Sequence, residues 1–283
     1  MLQAQDAVRQ RNEDSLYYAL GPAVASALAE PDVVEVMANP DGALWVDRAG
    51  KGRERLGEID RGAAETTIRL LASRMGQSVT AEMPAVSGVL PRSGERFQGV
   101  LPPLVDRPVF SIRKRALLVY TLDDYVNAGI LPDKGASTIR KAVTERKNIL
   151  VAGGTGSGKT TLVNAILAEP AFLHDRIVIL EDTRELQCPA KDKVELLTKS
   201  TDPPVTMNDL LRMTLRLRPD RIVVGEVRGG EALALVKAWN TGHPGGVATV
   251  HANSAQDALR RMEELVGEVA SHVPLRSIAS AIH

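Results

Sequence analysis

The spacing of apolar positions changes character near the middle of the chain. In the first part, residues 15–30 carry helix-spaced apolar side chains interrupted at Gly21-Pro22. Two short apolar runs, 33–37 and 43–46, then flank Asn39-Pro40-Asp41-Gly42, a combination that predicts a hairpin. Ala64, Ile68, Leu71 and Met75 recur at helical spacing and predict a helix over 61–76. Strands are expected near 97–101 and 109–112, separated by Pro102-Pro103. A helix over 133–146 opens the second part, where runs of three or four apolar residues alternate with helix-length amphipathic segments. Strands joined by helices pair in parallel, so a mainly parallel sheet is expected. The boundaries that follow are an α+β module at 1–120, a connector at about 114–132 and a second domain at 133–283.

Three of the short runs share a habit. Residues 177–180 lead into Glu181-Asp182, residues 222–224 into Gly225-Glu226, and residues 247–250 into His251. In open parallel sheets ligands lie beyond the carboxyl ends of the strands, so these polar ends should gather at one rim. A fourth run, 148–151, precedes Gly153, Gly154, Thr155, Gly156, Ser157, Gly158, Lys159, Thr160 and Thr161, which fit G-x-x-x-x-G-K-[ST] with a helix-like segment behind. Glycines let the backbone curl its N–H groups toward phosphate at a helix N-terminus. Lys159 is then expected on the β- and γ-phosphates and Thr160 on Mg²⁺, with ATP the expected nucleotide. Glu226 is the candidate for the outer shell of the metal. Glu181 is the candidate for orienting the attacking water, with Glu185 on the same loop as the fallback, and His251 is the candidate for touching the γ-phosphate.

The remaining helices fit this plan. Ser254 and Asp257 open a helix whose Ala255, Ala258, Leu259, Met262, Leu265 and Val266 form one apolar stripe. Thr206 and Asp209 open another over 207–217, with Leu210, Leu211, Leu215 and Leu217 expected inward and Arg212 and Arg216 sharing a face. That pair is read either as a solvated face or as a basic strip toward a neighbouring subunit.

Composition removes some classes. The 283 residues carry 35 basic and 35 acidic side chains, so no excess of positive charge marks a nucleic-acid partner, and aromatics are only 3%. Direct nucleic-acid binding is not expected. The polar opening residues exclude a secretory leader and no run is long enough for a membrane span, so a soluble, intracellular protein is expected. Cys188 is the single cysteine and is read as an incidental thiol before Pro189. An Asn-Lys-x-Asp guanine-reading segment is missing, which disfavours a GTP switch, and no acceptor site or arginine-bearing lid of a small-molecule kinase is visible.

Four segments, 153–161, 179–186, 215–231 and 242–253, together resemble the Walker A, Asp box, Walker B and His box of secretion traffic ATPases. The match is closest to the TrbB-type conjugal-transfer ATPases of type IV secretion systems. Ser93-Gly-Glu-Arg-Phe97, Leu101-Pro-Pro103 and Phe110-Ser-Ile-Arg-Lys114 are similar to the N-terminal domain of that family. A type II secretion or pilus ATPase carries the same four motifs and is the alternative. The resemblance implies an α/β fold, a RecA-like P-loop NTPase domain with a mainly parallel sheet preceded by an α+β N-terminal domain. It implies a homohexamer of two stacked rings, with ATP between the two domains of a subunit, driving inner-membrane secretion-machine components from the cytoplasmic face of the bacterial inner membrane. It further implies that Arg113 and Arg96 reach the phosphates from the N-terminal domain or a neighbour, although Arg113 alone reads as one of the basic run Arg113-Lys114-Arg115. The chain stops at Ala281-Ile-His283 within a helix-like stretch where members of that family usually continue.

Overall fold

The computed structural model describes residues 2–90, 94–114, 119–199 and 202–283, and side chains from residue 15 onward. The chain divides into two compact units, Met1–Leu117 and Leu118–His283.

The first unit opens with α1 (Leu2–Ala29), whose helical path breaks at Gly21, where φ is 80° and ψ 163°. The Gly21-Pro22 pair explains the break, since glycine tolerates positive φ and proline restricts the residue before it. β1 (Val33–Ala38) and β2 (Ala43–Arg48) form the expected hairpin, with Met37 opposite Trp45. β3 (Gly52–Glu58), α2 (Arg61–Arg74), β4 (Ala85–Val89), β5 (Arg96–Val100) and β6 (Val109–Arg113) complete an antiparallel six-stranded sheet of order β3-β2-β1-β6-β5-β4. Leu16, Leu20 and Val24 of α1 and Ile68 and Leu71 of α2 bury against Val36, Phe97, Phe110 and Ile112 of the sheet. β3 and β4 lacked a sequence signal. β3 reads Gly-Arg-Glu-Arg-Leu-Gly-Glu and is an exposed edge, held there by pairing with β2 rather than by burial.

The second unit begins inside the stretch expected as a connector. α3 (Leu122–Asn127) is closed by a capping box between Thr121 and Asp124 and packs Leu122 with Ala136 and Ala165, so residues from about 121 belong to this unit. α4 (Asp133–Thr144) precedes β7 (Ile149–Ala152) and α5 (Lys159–Leu167). Then come β8 (Ile177–Glu181), β9 (Lys193–Leu197), α6 (Met207–Thr214), β10 (Arg221–Val227), α7 (Glu231–Asn240), β11 (Val247–Val250), α8 (Ala255–Gly267) and α9 (Leu275–Ala281). The five strands run in the order β7-β11-β10-β8-β9 and every pair is parallel. The central strands β8 and β11 are buried along their whole length, as a sheet covered by helices on both faces requires.

Two expectations about helices change. α6 ends at Thr214, and Arg216 and Leu217 close a tighter turn by donating to the carbonyls of Met213 and Thr214. That early end rotates Leu215 outward, so it is exposed with Arg212 and Arg216. On α8, Ala258, Met262, Leu265 and Val266 are buried whereas Ala255 and Leu259 face solvent, which leaves a narrower stripe than the spacing suggested.

The amino end of the parallel sheet is stitched by buried polar groups. Arg221, whose side chain is 2% exposed, donates from Nε to Asp175 at 2.6 Å and from Nη1 to the carbonyls of Val143 and Gly245, and lies 4.4 Å over the ring of Phe172. Arg146 pairs with the other oxygen of Asp175. Asn148 accepts from the N–H groups of Gly245 and Gly246 and donates to the carbonyl of Ala281. These bonds tie the starts of β7, β8, β10 and β11 to α4 and α9.

Candidate functional site

At the opposite end, the loop after β7 makes the phosphate cradle. Gly156 and Gly158 have φ of 73° and 90°, which other residues resist, and α5 begins directly after Gly158. The first-turn N–H groups of α5, at Lys159, Thr160 and Thr161, have no carbonyl four residues back within the helix and form its positive end. Lys159 folds back over this loop, its Nζ donating to the carbonyls of Gly153 at 2.9 Å and Gly154 at 2.8 Å. The N–H of Ser157 closes the loop onto the Gly154 carbonyl.

β11 pairs directly with β7, Val250 opposite Ala152, and so delivers His251 beside the cradle. The Nδ1 of His251 lies 3.5 Å from Lys159 Nζ and its Nε2 lies 2.8 Å from Glu226 Oε1. An ammonium group only donates, so Nδ1 is the acceptor and the proton sits on Nε2, facing the carboxylate. The other oxygen of Glu226 accepts from Arg228 Nη2 at 2.6 Å, and Arg228 Nη1 reaches Asp182 at 3.1 Å. Asp182 also accepts from the Thr198 hydroxyl at 2.9 Å. The bond to Glu226 raises the pKa of the Arg228 guanidinium above its ordinary value. One polar chain thus runs from the cradle across the ends of β11, β10 and β8.

The two glutamates of the loop after β8 divide their surroundings. Glu181 is 4% exposed, and its Oε1 accepts from the backbone N–H groups of Glu185 and Leu186, both at 2.8 Å. Its carboxylate therefore clasps its own loop. Gly225 permits this, because a Cβ there would sit 3.0 Å from Glu181 Cγ. Glu185 extends the other way, and its Oε2 accepts from the Thr160 hydroxyl at 3.3 Å. The structure brings Lys159, Glu226 and His251 into one chain, and Glu185 to Thr160, while Glu181 supports the loop that carries Glu185.

In the first unit Arg96 and Arg113 are direct cross-strand partners on β5 and β6. Ser93 and Arg115 lie outside the described residues. Cys188 is buried, and burial raises the pKa of its thiol. Sequence reasoning placed Asp182 at the rim without a role and missed Arg228. The signal was present for Arg228, since it stands two residues after Glu226 and strand periodicity puts both on one face.

Residues 68–283 match the family described as type II/IV secretion system protein. The chain belongs to that family. The matched span of this secretion-system protein includes every site segment above, Arg96 and Arg113 among them. A probable conjugal transfer protein TrbB of Sinorhizobium fredii is 51% identical over 269 residues, covering 94% of this chain and 82% of the relative. The type IV secretion system protein PtlH of Bordetella pertussis is 37% identical over 282 residues, covering 90% of this chain and 81% of that protein. The crystal structure of the pilus retraction motor PilT with bound ADP aligns with a TM-score of 0.65 over 92% of this chain and 72% of that one, at 19% identity, a likeness of fold. Among the described residues of this family member, no helix is long and apolar enough to cross a membrane.

Proposed function

We propose that this chain is a Mg²⁺-dependent ATPase that powers a type IV secretion machine of the conjugal-transfer kind, working as a homohexamer docked on inner-membrane components at the cytoplasmic face. The observation that carries the reading is the hydrogen-bonded chain from the phosphate-loop lysine through His251 to Glu226. Membership of the secretion family supports the transport role, and the name of the TrbB relative favours conjugal transfer over type II secretion or pilus retraction.

In this reading the second unit is a RecA-like nucleotide-binding domain. The loop residues 153–158 and the N–H groups opening α5 hold the phosphates, and Lys159 exchanges the carbonyls of Gly153 and Gly154 for β- and γ-phosphate oxygens. The Thr160 hydroxyl, in the first turn of α5, and the Glu226 carboxylate, near the end of β10, are hard oxygen donors that suit Mg²⁺, Thr160 directly and Glu226 through water. A Mg²⁺ ion held by these two residues would supply neutralisation of charge on the transferred phosphoryl group. Glu185 orients the attacking water, because it already reaches Thr160 with its side chain, while Glu181 is engaged with the loop backbone. His251 donates toward the γ-phosphate when Glu226 turns to the metal. Arg113 and Arg96 contribute positive charge from the first unit or from a neighbouring copy. Their loss of contact after hydrolysis gives the closed state less stability and drives domain motion.

ATPase assays on variants test this. Lys159→Ala abolishes tight ATP binding, whereas Glu226→Gln binds ATP but loses roughly 10²-fold or more in turnover. Arg113→Ala lowers turnover with the fold intact. Parental rates in the first two variants would refute the assignment, and a parental rate for the third would remove Arg113 from the site.

A further inference from the structure

The helix that starts at Lys159 and the loop that carries Glu185 are joined at two places. Thr160 and Asn164 are four residues apart and share one face of α5. Glu185 and Gln187 are two apart on the irregular loop between β8 and β9. Thr160 Oγ1 donates to Glu185 Oε2 at 3.3 Å, and Asn164 Oδ1 accepts from the backbone N–H of Gln187 at 2.8 Å. The two bonds form the rungs of a clip between the phosphate loop and the water-orienting loop.

The rungs differ in kind. Thr160 is partly exposed and its hydroxyl is the group expected to turn to the metal, so this rung opens when nucleotide binds. Asn164 is 1% exposed, deep among apolar neighbours on α5, and its Nδ2 has no hydrogen-bond partner among the described residues. A buried amide with one unsatisfied group costs stability that a leucine of similar size would not. What the asparagine supplies in return, among the described residues, is the bond to Gln187.

We infer that Asn164 is a positioning residue for hydrolysis, holding the loop at Gln187 so that Glu185 stays in reach of the reacting water after Thr160 releases it. The inference rests on the reading of Glu185 as the water-orienting group. Asn164 is the fixed point about which the loop turns, and Glu181 keeps the loop's own shape as it does so. A displacement of about 1 Å at a reacting group can cost two orders of magnitude in rate, so one backbone anchor is enough to matter.

The test is a double-mutant cycle on the full chain, with kcat, KM, affinity for a non-hydrolysable ATP analogue and thermal melting measured on each protein. Asn164→Leu lowers kcat roughly 10- to 100-fold and leaves KM and analogue affinity within about twofold. Asn164→Asp keeps the acceptor and restores most of the rate. Added to Glu185→Gln, Asn164→Leu lowers kcat by less than about twofold further, because the two residues act as one unit. Gln187→Pro deletes the same bond from the donor side in an irregular loop, reproduces the kcat loss and stands in if Asn164→Leu does not fold. Parental kcat in Asn164→Leu or Gln187→Pro overturns the inference, as does a loss that multiplies fully in the Glu185→Gln background. Parental turnover in Glu185→Gln alone would instead strike the underlying reading of Glu185.

Discussion

The two ends of the parallel sheet handle charge in opposite ways. At the amino end Arg221, Asp175 and Asn148 are buried and spend their hydrogen bonds on each other and on backbone carbonyls and amides. At the carboxyl end His251 and Arg228 are about half exposed, and they, Glu226 and Asp182 share partners in a chain that ends on Lys159. A buried pair is fixed because breaking it strands a charge in low dielectric, whereas an exposed pair is cheap to rearrange. One end of the sheet is therefore a foundation and the other a set of groups ready to change partners.

The largest effect should come from attacking the foundation. Arg221→Ala leaves Asp175 with one partner fewer in a buried site and is expected to destabilise the chain by about 3–5 kcal/mol, read by chemical denaturation. Glu181→Ala tests whether a carboxylate at the carboxyl end can belong to the foundation. It orphans the N–H groups of Glu185 and Leu186, each worth about 1–3 kcal/mol when left unsatisfied, while Glu181→Gln keeps an acceptor and most of the stability. Turnover separates the pair further, because Glu181→Gln retains it and Glu185→Gln loses it. Arg228→Ala is expected to change stability by less than about 1 kcal/mol, since Asp182 stays hydrated and Glu226 keeps His251 as a partner, and a larger loss would erase the contrast between the two ends.

The smallest effect depends on pH. Thr206 holds Asp209 in the capping box of α6 and lowers its pKa from the ordinary 3.8. A carboxylate whose pKa is lower when folded stabilises above its unfolded value and loses that contribution as the pH falls through the folded one. The melting difference between the parent and Asp209→Asn should thus be present at neutral pH and fade below about pH 4. A difference that persists in acid would assign it to packing.

Much of the second unit was legible because four of its five strands are compact apolar runs that lead into chemically distinctive residues. Glu226, His251 and Lys159 could be brought together from the phosphate-loop motif and the rule that parallel strands share one carboxyl rim. β9, written Lys-Val-Glu-Leu-Leu, and β3 were not legible, because edge strands with charged alternate positions look like loops until a neighbour pairs with them. The different partners of Glu181 and Glu185 were not legible either. Both are acids on one short loop, and only the direction each side chain takes, into the loop backbone or toward Thr160, tells them apart. Asp175 and Arg221 were invisible for a related reason, since residues 46 apart carry no shared period.

The pairing of β7 with β11 has one further consequence. β11 sets His251 one inter-strand step from the strand that launches the cradle. The distance from the histidine to the root of the cradle is set by the lattice of main-chain bonds, so that side of the site acts as a fixed jaw, while Lys159 reaches in on its own side chain from the start of α5. Whatever the cradle takes in is measured against a length the protein does not have to remake on every cycle.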